Sequence, residues 1–337
     1  MSASASVKPG LRSKVAHARG FTLVELMVGM TLSLFIAAAL GALFANMSRA
    51  NAELDRSSRQ IENGRYAIEL LAEELKLAGF YGDVRQAGAL YSRPEPCATT
   101  VATLGWNASP ITVPVPVEGR SGTGDVPACV TDHVDGTGLL VVHRVSTATT
   151  PAATAAGGPA FLQTSQCAMD PFMPPLVLGT SPADFTLQNL ACDTVNPVRR
   201  YLSRIYYVAQ CSDCERDEIP TLKRLELNGD LMQETALAEG IQEIQFEYGF
   251  DTNADGAPDE FTTGLDGVMG SPGNDWSNVM AVRIWLLSRS SEPSRGYTDA
   301  KTYTLGVYGP RGPYPDSFKR RVYTTLVKLN NPAGWRE

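Results

Sequence analysis

The stretch "RGFTLVELMVGMTLSL" (residues 19–34) opens an apolar run that continues to Ala45 and holds one charge, Glu25, in the 25 residues from Phe21. At about 1.5 Å of rise per residue, a helix of that length crosses the ~30 Å hydrocarbon core of a bilayer with some tilt. A carboxylate at bilayer depth costs about 2.5–3.5 kcal/mol on insertion scales, and such groups ordinarily have a partner or a function. Either Glu25 snorkels to the membrane surface near the helix start, or it meets an opposite charge.

The flanks orient the run. Residues 1–20 carry Lys8, Arg12, Lys14 and Arg19 and no acid. No comparable cluster follows the run, so the positive-inside rule keeps this end cytoplasmic and exports the rest. The run is longer than the roughly 7–15-residue core of a secretory signal peptide. The formal charge of −7 falls to −11 without those four bases, which argues against nucleic-acid binding by phosphate neutralisation. Six cysteines (Cys97, Cys129, Cys167, Cys192, Cys211, Cys214) lie on the exported side, where disulfides are the default.

A basic leader followed by Gly20, Phe21, Thr22, Leu23, Val24 and Glu25 resembles the class III leader of type IV pilins. The resemblance implies that a prepilin peptidase cuts between Gly20 and Phe21 and methylates the new amino terminus of Phe21. Glu25 then lies one helical turn from a positive terminus, its own or that of a neighbouring subunit, and serves assembly by neutralisation in low dielectric. Pilin helices often carry a proline in the apolar segment; here only Gly29 and Gly41 interrupt it.

From Asn46 to Phe80 there is no proline, and Leu54, Ile61, Ile68 and Leu75 recur every seven residues, with Leu71 and Ala78 adding a second stripe. This pattern predicts an amphipathic helix continuous with the membrane span. "ENGRYAIELLAEELKLAGFYGD" (62–83), "LAEGIQEIQFEYGFDTNADG" (237–256) and "RRVYTTLVKLNN" (320–331) are similar to the PilW family of larger minor pilins. The expected division is a cleaved leader over 1–20, an N-terminal helix over 21–80 and a β-rich head over 81–337.

Strand signals in the head are strongest at 138–145, 201–210, 221–229, 241–250, 279–288, 302–308 and 320–329. In the fourth, Ile244, Phe246 and Tyr248 alternate with Glu243, Gln245 and Glu247, which predicts one buried and one wet face. The fold class is α+β and pilin-like: a long helix whose stripe through Leu54, Ile61, Ile68 and Leu75 covers an antiparallel sheet. Residues 92–128 and 146–184, rich in Pro, Gly, Ser, Thr and Ala, read as long surface loops rather than a second core.

"DTNADGAPDE" (251–260) places Asp251, Asn253 and Asp255 alternately before Gly256, with Asp259 at the ninth position. That is the front half of a calcium loop, to which the Ala257 carbonyl and Glu260 add oxygens; the twelfth position is Thr262, which provides no bidentate carboxylate. The alternative is an Asp/Asn/Gly-rich turn. "CSDC" (211–214) reads as a structural disulfide in a hairpin, since neither a helix start nor a second ligand pair accompanies it. Cys97 with Cys129 and Cys167 with Cys192 are the economical remaining pairs.

His17, His133 and His143 are the only histidines. No G-x-S-x-G, HExxH or phosphate loop appears, so no catalytic residue is expected. The resemblance implies a minor pilin that initiates or caps a type IV pilus, with other minor pilins, the major pilin, prepilin peptidase and the inner membrane as partners and the head in the periplasm. A pseudopilin of a type II secretion system and a membrane-anchored calcium-dependent binding protein are the alternatives.

Overall fold

The computed structural model describes residues 20–84, 88–156, 158–168, 175–263, 275–334 and 336. The basic leader up to Arg19 lies outside them. The chain forms two compact units, Met1–Leu54 and Asp55–Glu337, and one helix, Leu23–Leu77, begins in the first and ends in the second.

In the first unit the helix is exposed along its length from Leu23 to Asn51, and Gly29 and Gly41 do not interrupt it. With no proline present, every interior residue keeps a backbone donor for the helical ladder. The hydroxyls of Thr31 and Ser33 donate to the carbonyls of Val28 (2.9 Å) and Gly29 (2.7 Å), so these polar groups are satisfied within the helix itself. Among the described residues this is the helix long and apolar enough to cross a membrane.

In the second unit the helix buries Gln60, Gly64, Ala67, Leu71, Glu74 and Leu75. The expected stripe through Leu54, Ile61, Ile68 and Leu75 is therefore corrected: Leu54 is 68% exposed, and Ile61 and Ile68 are only half-buried. A strict seven-residue repeat drifts by about 20° per heptad around a straight helix, so small and polar side chains complete the inward face. Gly64 lies under the Tyr323 ring, which a Cβ there would overlap. Gln60 donates through Nε2 to the carbonyls of Ser288 (3.2 Å) and Lys319 (2.9 Å).

The head has two main antiparallel sheets where the sequence pattern suggests one. The first runs Leu231–Glu239, Thr221–Asn228, Arg199–Ala209, Leu139–Val145, Val117–Arg120, with Phe161–Thr164 pairing both Arg199–Ala209 and Leu176–Gly179. The second runs Glu260–Thr262, Ile241–Phe250, Val279–Arg289, Arg320–Lys328. Gly240 alone joins the strand that ends at Glu239 to the one that begins at Ile241. Its φ of 75° requires glycine, as does the Arg289 carbonyl, which would stand 2.6 Å from any Cβ at this position.

Ile244, Phe246 and Tyr248 enter the main core with Leu71, Leu75, Val142 and Tyr206. The wet face expected opposite them is absent, because Glu243, Gln245 and Glu247 are buried too. The 302–308 segment explains this: it forms a two-residue strand, Tyr303–Thr304, and a 3-10 turn, Gly306–Tyr308, that covers this face. Glu247 there accepts from Arg283 (2.7 Å), Trp285 Nε1 (3.1 Å) and the Val307 N–H (3.0 Å), and Glu243 pairs with Arg311 (2.7 Å).

The segments expected to be surface loops also build a core. They contribute the strands Ile111–Pro114, Val117–Arg120, Phe161–Thr164 and Leu176–Gly179. Leu104, Val113, Ala160, Leu162 and Leu176 pack there with Tyr81, Val84 and Tyr201 in a second buried cluster.

One ion network fastens the helix to the first sheet. Glu74 accepts from Arg144 Nε (2.9 Å) and Nη2 (3.1 Å) and from Arg204 Nη1 (2.7 Å), while Arg204 Nε reaches Glu226 (2.7 Å). Removing one partner from a buried set leaves uncompensated charge, at about 3–5 kcal/mol. Glu74→Ala should destabilise the head by that order in denaturant unfolding, whereas Glu73→Ala, away from this network, should change it by less than about 0.5 kcal/mol.

His143 lies fully buried in the Leu139–Val145 strand, its Nδ1 2.9 Å from the Tyr201 hydroxyl. Burial pushes its pKa down to about 3, while the unfolded chain takes up that proton near pH 6.5. Between those values the unfolded state binds more protons, so stability present above pH 6.5 is lost as pH falls toward 3. The slope of melting temperature against pH across this window should be shallower in His143→Gln than in the wild-type head.

Candidate functional site

Gly20 and Phe21 precede the helix, and the Phe21 ring is 89% exposed. Thr22 and Glu25 form a reciprocal cap at its start. Glu25 Oε2 accepts from the Thr22 backbone N–H (2.8 Å) and from the Thr22 hydroxyl (2.9 Å), and the Glu25 N–H donates to the Thr22 Oγ1 (3.3 Å). This is a capping box, which satisfies donors that a helix start leaves without intrahelical partners. Thr-x-x-Glu is its sequence signature, and it stands at residues 22–25; reading Glu25 only as a charge passes over it.

The cap holds the carboxylate at the first turn, four residues after Phe21. Phe21, Glu25, Leu26, Gly29, Met30, Ser33, Leu34 and Ala37 line one groove along the helix. Gly29, Ser33 and Ala37 keep its floor low at intervals of four residues, the spacing that lets a second helix approach closely in a membrane.

The acidic loop at Asp251 is held from within. Asp251 Oδ1 accepts from the Asn253 N–H (3.2 Å) and the Ala254 N–H (2.6 Å), and its Oδ2 accepts from the Gly256 N–H (3.0 Å) and Arg336 Nη1 (2.9 Å). Asn253 Oδ1 accepts from the Asp255 N–H (2.9 Å), Asp255 Oδ1 from the Ala257 N–H (2.8 Å), and Asp259 Oδ2 from the Thr252 N–H and hydroxyl (both 2.8 Å). Burial by itself would raise the Asp251 carboxyl, but donation from Arg336, Gly256 and Ala254 holds it below the ordinary carboxylate range. Arg336, far along the chain, supplies a positive charge to the loop that its local sequence does not announce.

Disulfides join Cys97 to Cys129, Cys167 to Cys192 and Cys211 to Cys214. Among the described residues, Asp132, Cys211 and Cys214 bring possible ligand atoms together, but the two sulfurs are bonded to each other and Asp132 pairs with Lys223 at 2.7 Å. His133 Nε2 lies 3.0 Å from the Thr137 carbonyl and 2.9 Å from its hydroxyl, and burial lowers its pKa. His143 is in the core, and His17 lies outside the described residues.

Comparison with known proteins agrees with these features. Residues 16–41 match the family model described as Prokaryotic N-terminal methylation motif. Residues 205–331 match the model described as Type IV Pilus-assembly protein W, or PilW. The two matched segments, the start of the helix and the later strands of the β head, are thus each similar to a pilin-type family. A type IV-like pilin from Thermus thermophilus matches with 12% identity and a TM-score of 0.25, over 58% of this chain and 78% of that one. No curated protein matches.

Arg336→Ala should lower the melting temperature of the head by a few degrees, because it leaves Asp251 buried without its cation. A fall in wild-type melting temperature on chelation, with Arg336→Ala neutral, would instead assign that charge to bound calcium.

Proposed function

We propose that the chain is a minor pilin that helps to initiate or cap a type IV pilus by packing its N-terminal helix against those of other pilins. The observation that carries this reading is the Thr22–Glu25 cap at the head of an exposed apolar helix. The carboxylate is parked on donors of its own first turn, and a neighbour's amino terminus, as a full positive charge, is the stronger partner in a dry interface. Prepilin peptidase, the major pilin and other minor pilins are its partners in this account. The chain sits in the inner membrane with residues 81–337 in the periplasm until assembly carries it into the filament.

The pilus-assembly family match over residues 205–331 favours this reading over a secretion pseudopilin. Deleting the gene should reduce the number of surface pili and leave type II secretion intact; the reverse result would assign the chain to a pseudopilus. Glu25→Ala should reproduce the loss of pili with normal protein level and membrane insertion. Normal piliation in that variant would reduce the helix to an anchor and favour a membrane-tethered binding protein.

A further inference from the structure

The two main sheets end in strands of equal length and opposite charge. Leu231–Glu239 and Arg320–Lys328 are nine residues each, and among the described residues neither has a strand on its outer side. Edge strands are normally broken, covered or shortened, because their row of backbone donors and acceptors templates another strand. Arg320–Lys328 pairs with Val279–Arg289 through nine consecutive positions without a bulge. It contains no proline, and Leu326 stands 54% exposed.

Acids flank the first edge and bases the second. Asp230 and Glu239 stand at the two ends of Leu231–Glu239, and Glu234 between them is engaged by Lys223 at 2.8 Å. Arg320 is drawn inward by Asp299 (3.0 Å) and Asp316 (2.6 Å), and Arg321 beside it is exposed. Beside Glu239 a groove of about 280 Å³ opens between Asn63, Thr221 and Ala236, with room for a guanidinium.

We propose that the Arg320–Lys328 edge of one copy of this chain pairs with the Leu231–Glu239 edge of a second copy. The pairing is antiparallel, which sets Glu239 of one copy against Arg321 of the other, while joining two identical edges sets like charges together and is disfavoured. The contact is therefore heterologous: each copy keeps one edge open, and the array extends until a different subunit ends it. Backbone pairing supplies the adhesion, and the end charges choose the partner. Pilus initiation does not depend on this contact, so its failure leaves the proposed function standing.

Sedimentation of the full-length chain in detergent tests the proposal, and differences among variants isolate the head contact from association of the membrane helices. Glu239→Lys and Arg321→Glu, both at exposed positions, should each weaken association about tenfold, as one attractive pair becomes repulsive. The double variant E239K/R321E should recover most of the wild-type association, because the exchanged charges again face opposite signs. Association unchanged by either single variant, or a double variant weaker than both singles, would overturn the pairing.

Discussion

A single carboxylate in an apolar helix constrains everything at the start of this chain. Glu25 lies in a run of 25 residues with no other charge, and low dielectric makes any unpartnered ion there costly. The helix answers locally, through the backbone N–H and hydroxyl of Thr22. Both donors are neutral, whereas the terminal ammonium proposed as the partner of Glu25 in an assembly is charged and the stronger donor. In the proposed assembly the same first turn would serve two states: the cap seen in the single chain, and an ion pair with a neighbour's terminus.

The later part of the helix is held by different means. Gly64 and Ala67 admit close approach of the second sheet, Leu71 and Leu75 enter the core, and Glu74 locks into Arg144 and Arg204 on the first sheet. The network at Glu74 is weak evidence for net stability, because desolvation offsets much of its attraction. It is strong in geometry, however: two guanidiniums and Glu226 fix the rotation of the helix against the sheet. Three disulfides staple the connections around this core, as fits the exported location proposed for the head.

Much of this is legible in the residues. The long helix and most of the long strands follow from apolar run length and period-two alternation, and the inward set Ile244, Phe246 and Tyr248 is readable directly. The opposite set, Glu243, Gln245 and Glu247, is not, because alternation assumes water on the polar face. Here Arg283, Arg311 and the 303–311 segment, distant in sequence, supply partners and cover. The strand Leu231–Glu239 gives little local signal, since "LMQETALAE" is acidic and poor in β-branched residues, and an edge position tolerates that composition. The strands within 92–128 and 146–184 are short and set among Pro, Gly and Ala, so local signals favour turns until the two halves of a core meet.

At the candidate site, Gly20, Phe21 and Glu25 stand out through the resemblance to a prepilin leader, while the capping role of Thr22 emerges from its hydrogen bonds. The account rests on Phe21 becoming the amino terminus beside that cap. Amino-terminal sequencing with mass determination of the mature chain tests this most directly. A chain beginning at methylated Phe21 is the expected result; a chain retaining Met1 in cells with active prepilin peptidase would contradict it.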